Sequence, residues 1–249
     1  MIPKPEINYL ELRPKNLFSK KFNHILLLLY WPIYGIIFTL LESHPLKDFN
    51  IFGREFQPMW IPLDDMIPFN ELFVIPYVFW FGYIVIALVY TFFYDVDTYK
   101  RYMYFIMITY SIALISYIFF PTEQNLRPTV IPRDNFLVDF MKDFWVYDTS
   151  TNVCPSVHVI GSFAATFAFQ HAKGISKLTK AGCQIMNILI CLSTVFLKQH
   201  SAIDGIIATI ICVIAYVPCF LMGRSDKGNN PGSHTKKDNR KTKKQTVSA

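Results

Sequence analysis

The chain has 249 residues, of which 52% are hydrophobic and only 17% charged, and it carries a formal net charge of +6. Soluble domains carry about a quarter charged residues, so this composition excludes an ordinary soluble domain and a disordered chain, and points to a membrane. Five cysteines, Cys154, Cys183, Cys191, Cys212 and Cys219, show neither metal-type CxxC spacing nor a secreted disulfide pattern, and they read as small apolar packing residues.

Residues 1–21 form a basic lead containing Pro3, Pro5 and Pro14, expected at the membrane surface. The first apolar run follows this polar lead without a small-residue cleavage pattern, so it reads as a retained span and not as a cleaved signal peptide. Apolar runs then occupy 25–41, 73–94, 102–120, 157–169, 181–197 and 203–222. A helix crosses the hydrocarbon core with about 17–25 residues, and five runs meet that length unaided. The run 157–169 reaches it only with Pro155 and Ser156 before it and Gln170 and His171 after it. The expectation is an all-α, polytopic membrane domain over 22–222 with six transmembrane helices.

Between the first two spans, FQPMWIPLDDMIPFNELF mixes aromatics, prolines and acids, as a segment lying in the interface does. Its Asp64 and Asp65 read as a solvated turn more readily than as metal ligands. The loop 121–156 predicts a short amphipathic helix around 135–146. The tail 223–249 is polar and basic, hence expected to be disordered. Its eight Lys and Arg suit anionic lipid headgroups better than nucleic acid. The chain shows no internal repeat and no Gly-rich nucleotide loop.

With six spans, 18 of the 24 Lys and Arg fall on the side that holds both termini, and 6 on the other. Cytoplasmic loops carry the excess of Lys and Arg, so both termini are expected in the cytoplasm. The ends of spans that carry His158, Lys198 and His200 are then extracytoplasmic.

Ionisable groups at membrane depth are costly and are functional candidates by default. His200 and Asp204 stand four residues apart, on one face of the last span. That spacing suits a carboxylate accepting from one imidazole nitrogen, which fixes the tautomer and leaves the other nitrogen free to act as a nucleophile. A buried His–Asp pair serving structure alone fits the same two residues. By the span count Lys198, Ser193, Thr194, Arg127, Ser156 and His158 lie at the same membrane face. Two cations, two imidazoles, a carboxylate and two helix N-termini describe a site for a phosphate. The cluster of carboxylates a magnesium site uses is missing, so no metal and no other cofactor is expected.

These residues resemble the three motifs of the type 2 phosphatidate phosphatase superfamily, membrane lipid phosphatases that share a helical core with vanadium haloperoxidases. The first, Lys, six spacers, Arg-Pro, is matched by Arg127 and Pro128, with Phe120 at the Lys position. The second, Pro-Ser-x-His, is matched in full by Pro155, Ser156, Val157 and His158. The third, Ser-Arg, five spacers, His, three spacers, Asp, is matched by Ser193, His200 and Asp204, with Thr194 in place of Arg. The resemblance covers about residues 100–215.

It implies metal-independent hydrolysis of a lipid phosphate or polyprenyl diphosphate from the outer leaflet. His200 would be the nucleophile, Asp204 would orient it, and His158 would be the general acid and base. Arg127, Lys198 (standing in for a lost family cation), Ser156, Ser193 and Thr194 would hold the phosphate. Two other readings stand beside this one. A transferase similar to sphingomyelin and inositol phosphorylceramide synthases would pass the phospho-group to a lipid or polyol hydroxyl. A non-enzymatic transporter or lipid-binding protein is the other, although a proton-coupled transporter places its ionisable groups nearer the midplane.

Overall fold

The computed structural model describes residues 4–42, 55–131 and 133–222; the expectations for the rest of the first loop and for the 223–249 tail lie outside the described residues. The basic lead forms two short 3-10 turns, and Tyr9 anchors it by stacking on Phe92 and bonding the buried His24. A 3-10 helix over Asn23–Leu29 runs into α1 (Tyr30–Glu42). The loop that follows contains β1 (Gln57–Pro58) and α2 (Pro62–Met66).

Next come α3 (Val74–Tyr94) and α4 (Val96–Phe119), separated by one residue, Asp95, whose carboxylate accepts the Thr98 amide and hydroxyl and so starts the second helix. The loop beyond begins with β2 (Thr122–Glu123), which pairs in parallel with β1. It then forms α5 (Phe136–Tyr147), the amphipathic helix predicted there, capped by Asn135. The chain continues through α6 (Val157–His171), α7 (Lys177–Phe196) and α8 (Ala202–Tyr216), closed by a π-turn over Val217–Leu221.

Five segments of the described chain are long and apolar enough to cross a membrane: Asn23–Glu42, Glu71–Tyr94, Val96–Phe119, Lys177–Phe196 and Ala202–Leu221. The sixth expected span, α6, has 15 residues, or about 22 Å of helix at about 1.5 Å per residue, short of the roughly 30 Å hydrocarbon core.

What α6 lacks in length it makes up in position. It packs against α3, α4, α7 and α8 and is the axis of the bundle. Small residues let the neighbours approach it: Ala164, Ala165 and Ala168 are fully buried. At Gly161 an added Cβ would stand 2.6 Å from the Tyr110 hydroxyl and 2.8 Å from Trp80 Nε1. Polar pairs add glue inside the bundle, Ser162 to Asn187 and Thr166 to Tyr83. By contrast α1 lies at the periphery and packs chiefly on α4.

Candidate active site

The turn before α6 is gripped from three sides. Ser116 and Tyr117 on α4 donate to the carbonyls of Cys154 and Pro155 at 3.1 and 2.7 Å, and the Thr122 hydroxyl accepts the amides of Val153 and Cys154. The Cys154–Pro155 bond is cis. Ser156 then caps α6, its hydroxyl 3.5 Å from the Val159 amide, and its own amide points to the Asp204 carbonyl, so α6 and α8 begin side by side. The first turn of α6 thereby presents His158 at the same end of the bundle as His200.

His200 sits in the tight turn between α7 and α8, where the amides of Gln199 and His200 both return to the Thr194 carbonyl and Lys198 adopts a left-handed φ of 57°. Its Nδ1 donates to the Val153 carbonyl at 2.9 Å. The Asp204 carboxylate stands 3.4 Å from the same nitrogen. The sequence reading gave the orienting bond to Asp204; the geometry gives the shorter contact to Val153, with the fully buried Asp204 carboxylate close by. The Asp204 carboxylate instead accepts the Ser201 amide and completes a capping box for α8. A carbonyl can only accept, so Nδ1 carries a proton and Nε2 is the nitrogen left for a ligand.

The two imidazoles meet. Their ring centroids are 5.7 Å apart at an interplanar angle of 62°. His158 is held between Tyr77 and Trp80, with centroids at 4.4 and 4.3 Å, and neither of its nitrogens has a hydrogen-bond partner among the described residues. Both rings line a small polar cavity of about 30 Å³ together with Glu42, Asp148, Asn152 and Gln199. A larger apolar cavity of about 440 Å³ opens beside it, and His158, Asp148, Phe38 and Val157 line both.

The expected phosphate ligands are placed otherwise. Arg127 gives its guanidinium to the carbonyls of Trp145, Asp148 and Thr149 and to the Gln199 side chain, at 2.6 to 3.1 Å, and lies over the Trp145 ring. It therefore stands behind the cavity wall, one residue removed, with burial pulling its pKa down. Lys198 turns away altogether, donating to the Asp64 carbonyl at 2.6 Å; burial lowers its pKa too, against Asp64 and Asp65, which raise it. Ser193 and Thr194 donate back to the Ile190 and Cys191 carbonyls of their own helix. Of the five residues, Ser156 is spent on its cap and none lines the small cavity.

Asp64 is not the solvated turn expected of it. It is 2% exposed and accepts from the Ser201 hydroxyl and from the amides of Ala202 and Ile61. A carboxylate that bonds three donors at the start of a helix is satisfied by them and fastens α2 to the His200 turn.

Sequence reasoning missed two acids that line the small cavity, Asp148 and Glu42. Asp148 accepts from Tyr77 and Gln199 at 2.8 and 2.7 Å. Burial raises its pKa, while the Tyr77 hydrogen bond, His200 and Arg127 act against that. Glu42 accepts from Thr149 and from Asn152 Nδ2. The signal available for Glu42 was its position, a lone acid closing an apolar run; Gln199 adjoins His200 in the chain. Burial and the adjacent Asp204 push the Cys154 thiol up to about 12, so it is a neutral packing group. Among the described residues no group of three or more His, Cys, Asp or Glu could hold a metal ion. Comparison with protein families, with curated proteins and with solved structures returns no match.

Proposed function

We propose that the chain is a membrane phosphatase that hydrolyses a lipid phosphate or polyprenyl diphosphate through a phosphohistidine. The observation that carries this reading is the facing pair, His158 and His200, at the floor of a polar cavity that opens into an apolar one. A neutral imidazole with Nδ1–H held by a carbonyl and Nε2 open is the form that attacks phosphorus.

The Nε2–P bond forms as the P–O bond to the lipid breaks, and the departing oxygen takes a proton from His158. A water deprotonated by His158 then attacks the phosphohistidine, releasing phosphate and restoring His200. The N-terminal end of α6, where His158 sits, would add positive potential at the non-bridging oxygens. Arg127 joins them by exchanging Gln199 for the phosphate, a move of one hydrogen-bond partner. Positioning and charge stabilisation carry most of the rate in such transfers. In this reading α6 counts as a sixth span, both termini are cytoplasmic, and the histidines face the outer leaflet.

The test is phosphate release from a panel of lipid phosphates and diphosphates by the purified protein, with chelator present and no acceptor added. His200→Ala and His158→Ala are each expected to lower turnover by at least about 10²–10⁴-fold while the protein still inserts. Near-normal release by either variant defeats the role assignment. Transfer to an added alcohol without release in its absence assigns the same residues to a transferase.

A further inference from the structure

The larger cavity has an end, a wall and a size. It meets the small polar cavity at His158 and Asp148, and among the described residues these are the lining groups with an ordinary pKa below that of tyrosine. From there it runs in the gap between α1 and α3. One face of α1 supplies Trp31, Tyr34, Gly35 and Phe38, and α3 supplies Trp80 and Phe81 opposite. Here α1 packs on α4, whose Tyr110 also lines the cavity. Gly35 is a conspicuous part of this wall: an added Cβ there meets no atom within 4 Å. The glycine is thus not required by packing within the protein, and it leaves width in the groove.

Taking roughly 30 Å³ per water-sized group, a cavity of about 440 Å³ holds on the order of fifteen such groups. That is one hydrocarbon chain of about fifteen carbons; two acyl chains of that length need twice the space. Aromatic walls with a carboxylate and an imidazole where the cavity meets its polar neighbour are the lining of a site that binds an amphiphile in one orientation.

Resting on the phosphatase reading for the headgroup, we infer that the groove between α1 and α3 seats a single hydrocarbon chain, so that the preferred ligand is a single-chain lipid phosphate of about fifteen carbons, alkyl or isoprenyl, and not a two-chain phosphatidate. Gly35 sets the width of the seat.

The experiment uses the full chain in liposomes and two probes, a hexadecyl phosphate and a fifteen-carbon isoprenyl phosphate, each with a diazirine at mid-chain. Photolabelled residues are mapped by mass spectrometry. Labels are expected on the groove faces of α1 and α3, and to fall at least about fivefold in Gly35→Phe. Gly82→Phe, on α3 where an added Cβ is also unobstructed, should leave the labelling as it is. Gly35→Leu gives a smaller loss and replaces Gly35→Phe if that variant does not insert. Unlabelled single-chain phosphate should displace the probe and an equal concentration of two-chain phosphatidate should not; which probe labels more strongly tells alkyl from isoprenyl.

Labelling spread over the outer faces of the bundle and indifferent to Gly35 overturns the inference, as does equal displacement by phosphatidate. Because the readout is labelling, groove-specific labels in a protein that releases no phosphate would retain the chain seat and remove the phosphatase reading. Phosphate release with labels indifferent to Gly35 would do the reverse.

Discussion

Asp148 is the residue on which the electrostatics of the site turn. It is a half-buried carboxylate on the cavity that both imidazoles line, and desolvation lifts its pKa above the ordinary 3.8. An acid whose pKa is raised by folding binds more protons folded than unfolded, so its contribution to stability is greatest below the unfolded pKa and declines as pH rises through the folded one. Asp148→Asn keeps an oxygen for the Tyr77 and Gln199 bonds, both of which go to Oδ2, and removes the titration. The melting temperature of the wild-type protein relative to this variant should therefore fall as pH is raised from about 4 to 7, and a flat difference across that range counts against the assignment. At this scale the sequence told residue types and spacing, and both histidines were legible because a polar ring at the mouth of an apolar run has few other reasons to be there. The present partners of Arg127 were not legible in the sequence for a physical reason. A guanidinium has five donors, and spacing along the chain does not say whether they are spent on a ligand or, as here, on the carbonyls of the loop after α5 and on Gln199.

Elements were legible where periodicity or run length spoke. The long apolar runs became α3, α4, α7 and α8, and the amphipathic segment became α5 with Asn135 as its cap. The reading was weakest at α6, because a helix enclosed by four others meets protein on every side and has no need of membrane length. Its demand is for smallness. Gly161→Ala sets a methyl against Tyr110 and Trp80, and overpacking of this kind costs about 1–3 kcal/mol. A lowered melting temperature is expected, and since the Trp80 ring packs against His158, the proposed phosphatase activity should fall with it. An unchanged melting temperature would show that the helix can shift to make room. The short helix α2 was missed as well, since Asp64 looks solvated until the three donors that surround it are brought together by the fold.

Across the whole molecule, lipid contact should follow burial and not hydropathy. Large exposed apolar side chains stud α1, α3, α4, α7 and α8, for example Ile36, Val85, Ile112, Ile188 and Ile210, while the described large side chains of α6 are absent from that set. A hydrophobic carbene reagent dissolved in the bilayer is expected to modify those five helices and to spare α6; strong modification of α6 would mean that the bundle opens around its axis. The expected sidedness of the bundle rests on the distribution of Lys and Arg in the sequence alone, much of it in the tail beyond the described residues, whereas the meeting of His158 with His200 required the fold. One tie spans the whole assembly. Glu42, the last residue of α1, holds the Thr149 hydroxyl and the Asn152 amide, and Asn152 directly precedes Val153, whose carbonyl fixes His200. Prying α1 outward to admit a guest thus tugs on the strut that aims the imidazole, so loading the groove and cocking the proposed nucleophile share a single lever.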